Sequence, residues 1–110
     1  MNLESLTIAE ARQIAAMFAV PCSSESAIQV GQAYLIRTPT FYYTGRVVRV
    51  TSSEIVLDDA GWMADTGRFG ECIATGTYNE FEPMANGVIV TRCNISDMTP
   101  WKHTLPKAVK

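Results

Sequence analysis

At 110 residues and a net charge of −2, the chain is long enough for one domain around one modest core, and it lacks the basic balance that non-specific nucleic-acid binding needs. Charged residues make up 18% of the sequence against 47% hydrophobic; the charge content is below the roughly 25% of an average soluble domain, which leaves apolar surface for self-association to cover. The three cysteines, Cys22, Cys72 and Cys93, are odd in number and lack metal-ligand spacing, so they read as reduced cytosolic thiols rather than a disulfide framework.

Residues 6–19 read as a helix. Thr7 and Glu10 have the T-x-x-E spacing of a capping box, in which each side chain satisfies an orphan N–H of the first turn. Ile8, Ala11, Ile14, Ala15 and Phe18 then form one apolar stripe at helical spacing. Glu4, Glu10 and Arg12 interrupt any signal-peptide core, and no apolar run approaches the roughly 20 residues of a membrane span. Pro21 stops the helix, and the Ser-rich stretch after it reads as a linker. The predicted division is a helix over 1–20, a linker over 21–27, a β core over 28–98 and an extended tail over 99–110.

The β core opens with a strand over Tyr34–Thr38, which Pro39 ends because it cannot donate to a ladder. A longer strand follows over Phe41–Val50, with Gly45 marking a bulge or bend. Thr51–Ser53 is a turn and Glu54–Asp58 a third strand. Asp65 or Thr66 then caps a short helix running to about Ala74, and Gly76 stops it. Tyr78–Glu82 is a weak strand, Asn86-Gly87 a turn, and Val88–Arg92 a β-branched strand that Asn94–Met98 continues after a kink. Pro100, Pro106 and the Lys-rich end read as an extended tail that docks by Trp101 or stays loose. The fold class expected is α+β: an N-terminal helix, then a small bent antiparallel sheet or barrel of five strands with a short insertion helix.

Chemistry-bearing residues concentrate in WMADTGRF, residues 62–69. Trp62 and Phe69 can stack on a base, Arg68 can clamp a phosphate, and Asp65 can accept from a hydroxyl or an amine. Arg37, Tyr43 and Arg46, from the first two strands, complete a candidate ligand-binding set. The plainer assignment makes Trp62 and Phe69 core residues, Asp65 a helix cap and Arg68 a solvated neighbour. His103 is the single histidine, without a cluster at ligand spacing. No phosphate-cradling glycine motif is present. These patterns point to binding without catalysis, metal or cofactor.

Two resemblances add to this. Tyr43–Val50 followed by Ile55-Val56-Leu57 resembles the first half of the Sm-like motif, and Val88–Ile95 loosely resembles the second half. The resemblance implies a small bent barrel, Sm-like or SH3-like. Thr51 near the usual Asp position and Cys93 in place of the Gly after Arg92 depart from the oligo-U pocket of that family. The segments TIAEARQIAAMF, YLIRT-x-T-x-x-YTGR, ADTGRF and W-x-H-x-LP together resemble a group of small bacteriophage- and prophage-encoded proteins over nearly the full length. That resemblance implies a phage context and no established activity, and the chain itself reads as a host-cytoplasmic protein. The expected function is a non-enzymatic homo-oligomer that sequesters a nucleotide-like immune signalling molecule, with no membrane partner. The alternatives are a virion structural or assembly component and an Sm-type RNA binder.

Overall fold

The computed structural model describes residues 26–110, so the helix expected over 6–19 and nearly all of the linker lie outside the described residues. Within them the α+β expectation is overturned. Strands make up 46% and helical turns 12%, and the architecture is one six-stranded sheet in which every pairing is antiparallel. The strands are β1 (Ala33–Arg37), β2 (Tyr42–Val50), β3 (Glu54–Asp65), β4 (Glu80–Met84), β5 (Val88–Thr91) and β6 (Asp97–Pro100). One short helix, α1 (Phe69–Thr75), and a 3₁₀ turn at Arg92–Asn94 interrupt them.

β3 is longer than its sequence pattern announces, and it organises the sheet. From Ile55 to Trp62 it pairs β2 on one edge, while β5 and β4 share the other edge. Asp58-Asp59 does not end the strand because Asp59 takes a positive φ of 47°, a conformation that Asp tolerates better than most residues. The register skips one residue of β3 there, between Thr44↔Gly61 and Arg46↔Asp58. The bulge lies opposite Gly45, where a Cβ would stand 3.0 Å from the Cβ atoms of both Ala60 and Leu57. Gly45 thus lets β2 press onto the bulged strand, as its position in the sequence predicted.

The expected helix cap is also corrected. Asp65 Oδ1 accepts the Gly67 N–H at 2.8 Å, closing a turn two residues ahead. The helix therefore starts later, with Arg68 at the N-cap position and no side-chain cap. Gly76 ends it in the left-handed region, as expected.

Alternation along the strands gives each face its own core. The inner face gathers Tyr34, Ile36, Val47, Ile55, Leu57, Val88 and Val90, all buried. The outer face gathers Leu35, Met63, Phe81, Cys72, Trp101 and Leu105, with α1 and the tail packed onto it. The tail continues the β6 ladder through Trp101 N–H to Ala33 O at 2.9 Å. It ends on β4, where Lys110 and Phe81 exchange two backbone hydrogen bonds of 2.9 and 3.0 Å. It therefore straps the sheet from the β6 edge to the opposite β4 edge.

Candidate functional site

Strand alternation separates the residues that the sequence groups together. Arg37 shares the outer face with Leu35 and stands opposite Tyr42 on β2 and Asp97 on β6. Its Nε donates to Asp97 Oδ1 at 2.7 Å and its Nη2 to Oδ2, a two-pronged ion pair. The guanidinium also lies 4.6 Å from the centroid of the Phe69 ring. The Asp97 carboxylate, first, and the Tyr42 hydroxyl, second, push the Arg37 pKa further up, and the Arg37 hydrogen bond holds the Asp97 carboxyl below its usual range. Arg37 and Phe69 thus fasten α1 to the β1–β6 corner.

Tyr43 and Trp62 are directly opposite one another on β2 and β3, on the inner side. Phe41 meets Trp62 edge-to-face at 5.6 Å and Tyr43 at 6.2 Å, which builds an aromatic rim at this end of the sheet. Arg46 lies elsewhere. It faces Ala33, four residues along the ladder from the Arg37–Tyr42 pair, or about 13 Å at the usual strand rise. Its Nη1 donates to the Gly31 carbonyl at 2.9 Å.

The rim borders a shallow cleft of about 260 Å³ lined by Thr40, Tyr42, Trp62, Met63, Ala64, Asp65 and Thr66. The cleft exists because β3 outruns its partner: the last β2 pairing is Tyr43↔Trp62, and Met63, Ala64 and Asp65 continue without one. Asp65 enters the cleft with acceptor capacity left. Its Oδ1 is held by Gly67, and its Oδ2 has only a long contact of 3.4 Å with Asn79 Nδ2. Thr66 Oγ1 donates to Gly67 O, which leaves its lone pairs for a ligand.

Of the seven sequence candidates, Trp62 and Asp65 therefore line one cleft and Tyr43 supports Trp62 from across the strand pair. Arg37 and Phe69 adjoin the lining Tyr42 without lining the cleft themselves, Arg46 is remote, and Arg68 is exposed and does not line it. Phe41, Thr40 and Tyr42 were missed. Their signal was the aromatic run after Pro39, which read as ordinary strand content.

Two other depressions are larger. One of about 310 Å³ includes Asp58, Asp59, Pro83 and Lys107. A wide groove of about 950 Å³ includes Ile28, Val50, Arg92 and the exposed Cys93. Among the described residues neither is lined by an aromatic ring that could serve as a stacking platform.

His103 is occupied structurally. Its Nε2–H donates to the Ile73 carbonyl at 2.7 Å, capping the last turn of α1, and its ring meets Trp101 edge-on at 5.1 Å. Gly76, at φ 77°, leaves the room that this ring fills. The Cys72 thiol is buried, with Sγ 3.6 Å from Met63 Sδ, and burial pushes its pKa up. Among the described residues no three His, Cys, Asp or Glu side chains gather where they could hold a metal ion, and no helix is long and apolar enough to cross a membrane. Comparison with protein-family models, curated proteins and solved structures returns no match to this chain.

Proposed function

We propose that the chain is a non-enzymatic binding protein that holds a nucleotide-like small molecule in the cleft beside Trp62. The observation that carries this is an indole 37% exposed at the open end of β3, beside a carboxylate with a free acceptor. Aromatic side chains bound to bases contribute about 1–3 kcal/mol each, and a carboxylate reads the hydroxyls and amines at a base or ribose edge. The resemblance to phage-encoded proteins supplies only the phage context; within it the proposal is of a homo-oligomer in the host cytoplasm that withholds an immune signalling molecule by binding it. Calorimetric titration with cyclic di- and trinucleotides and ADP-ribose derivatives tests this. One of them should bind, and Trp62→Ala should weaken it roughly ten- to a hundred-fold. Absence of heat across the whole panel would remove the proposal.

A structural or assembly role in the virion is the second reading. It is favoured by Val48 on β2 and Ile89 on β5, which are 46% and 63% exposed away from the cleft. Large exposed apolar side chains are what a protein interface buries. Native mass spectrometry distinguishes the two by a retained small molecule in the first case and an apo assembly of one size in the second.

A further inference from the structure

Resting on the proposed binding at the Trp62 cleft, we infer that the cleft reads the nucleoside part of its ligand and leaves any phosphate in solvent. Among the described residues the lining contains one charged group, the Asp65 carboxylate, and no Lys, Arg or His. The neighbouring strand adds acid rather than base: Glu80 pairs with Asp65 and Glu82 with Trp62 across the β3–β4 ladder. Among the described residues the nearest cations are committed or distant. Arg37 stands against the lining Tyr42 but is held by Asp97 and Phe69, and Arg46 is bonded to Gly31 where β2 meets the start of β1. Arg68 is exposed at the start of α1 and does not reach the lining.

A phosphate drawn into this cleft would meet Asp65 without a counter-charge, and like charges at close range repel. A neutral ribose and base fit the same surface. Their hydroxyls and exocyclic amines are donors, and Asp65 Oδ2 and the Thr66 hydroxyl oxygen are acceptors. Ring area on Trp62 supplies the stacking. The ligand class selected is therefore a nucleoside moiety, free or as the end group of a larger nucleotide whose phosphates contribute little to affinity.

Titrating the full chain with the ribonucleosides and their 5′-monophosphates tests this. At least one nucleoside should bind as tightly as its monophosphate or more tightly. Its affinity should change by less than about threefold between roughly 0.1 M and 1 M salt, since exposed charge contributions are screened over that range. Asp65→Asn should weaken the nucleoside about tenfold, the loss of a charge-assisted hydrogen bond, and should narrow its advantage over the monophosphate. Arg68→Ala should change neither, and melting curves show that both variants remain folded. A monophosphate about tenfold tighter than its nucleoside, with the advantage lost in Arg68→Ala, overturns this inference while leaving binding at the cleft intact. No binding by any member of the series overturns both.

Discussion

The two tryptophans show how far the surroundings of a residue decide its role. Trp101 is 2% exposed and Trp62 is 37% exposed. Trp101 lies on the outer face among Leu35, Met63, Phe81 and Leu105, under a tail strapped to both sheet edges. Its indole N–H donates to Thr104 O at 3.2 Å, so its polar atom is satisfied inside the fold. Trp62 lies where β3 runs past β2, with only Phe41 and Tyr43 for aromatic company. The same side chain is thus a core element where chain passes over it and a surface element where a partner strand ends.

Mutations should separate these roles by size of effect. Trp101→Ala should be the most damaging, costing about 3–5 kcal/mol, as for other buried aromatics. That is a large part of a domain's total stability and should be visible as a collapsed thermal melt. Gly61→Ala comes next. A Cβ there would collide with the Phe81 ring and stand 2.6 Å from Glu82 O, and overpacking of this kind costs about 1–3 kcal/mol or more. Denaturant unfolding should show a lowered midpoint with little change in slope. Trp62→Ala should cost much less, about 1 kcal/mol, the scale of one aromatic pair. If Trp62→Ala melts as low as Trp101→Ala, the contrast between the two sites is broken.

The smallest effect belongs to the Arg37–Asp97 pair, which is partly exposed on both sides. The Asp97 carboxyl is held below its ordinary value of 3.8 by Arg37. A depressed carboxyl stabilises the fold fully above its unfolded value and loses that contribution as the pH falls through the folded value. Melting temperatures taken down the acid limb should therefore fall less steeply for Asp97→Asn than for the parent chain. Superimposable acid limbs would show that the pair does not hold the corner.

Much of the sheet was legible. Alternation gave β1 and β2, Asn86-Gly87 gave the turn before β5, and Gly76 gave the helix stop, whereas Trp101 left a docked and a loose tail equally open. The second half of β3 was hidden because Asp58-Asp59 looks like a strand end, and only a bulge with Asp59 at positive φ keeps the ladder going. β6 does not read as a strand of its own, because Asn94–Met98 looks like a continuation of the Val88–Arg92 strand and the tail reads as starting at 99. The 3₁₀ turn at Arg92–Asn94 redirects the chain, and its partner, β1, lies sixty residues back, beyond any local pattern. The same distance explains the site. Trp62 and Asp65 stand out within one short stretch of sequence, which folds as the end of β3 rather than as a loop, whereas the commitment of Arg37 to Asp97 follows from a strand pairing that local spacing does not announce.

The central claim is that Trp62, and not Trp101, faces a ligand, and tryptophan emission tests it most directly. Emission should change saturably with added nucleoside in the parent chain and in Trp101→Phe, and should stay flat in Trp62→Phe while that variant's melt remains cooperative. A saturable change that survives in Trp62→Phe, or none in the parent chain, would contradict the assignment of the cleft.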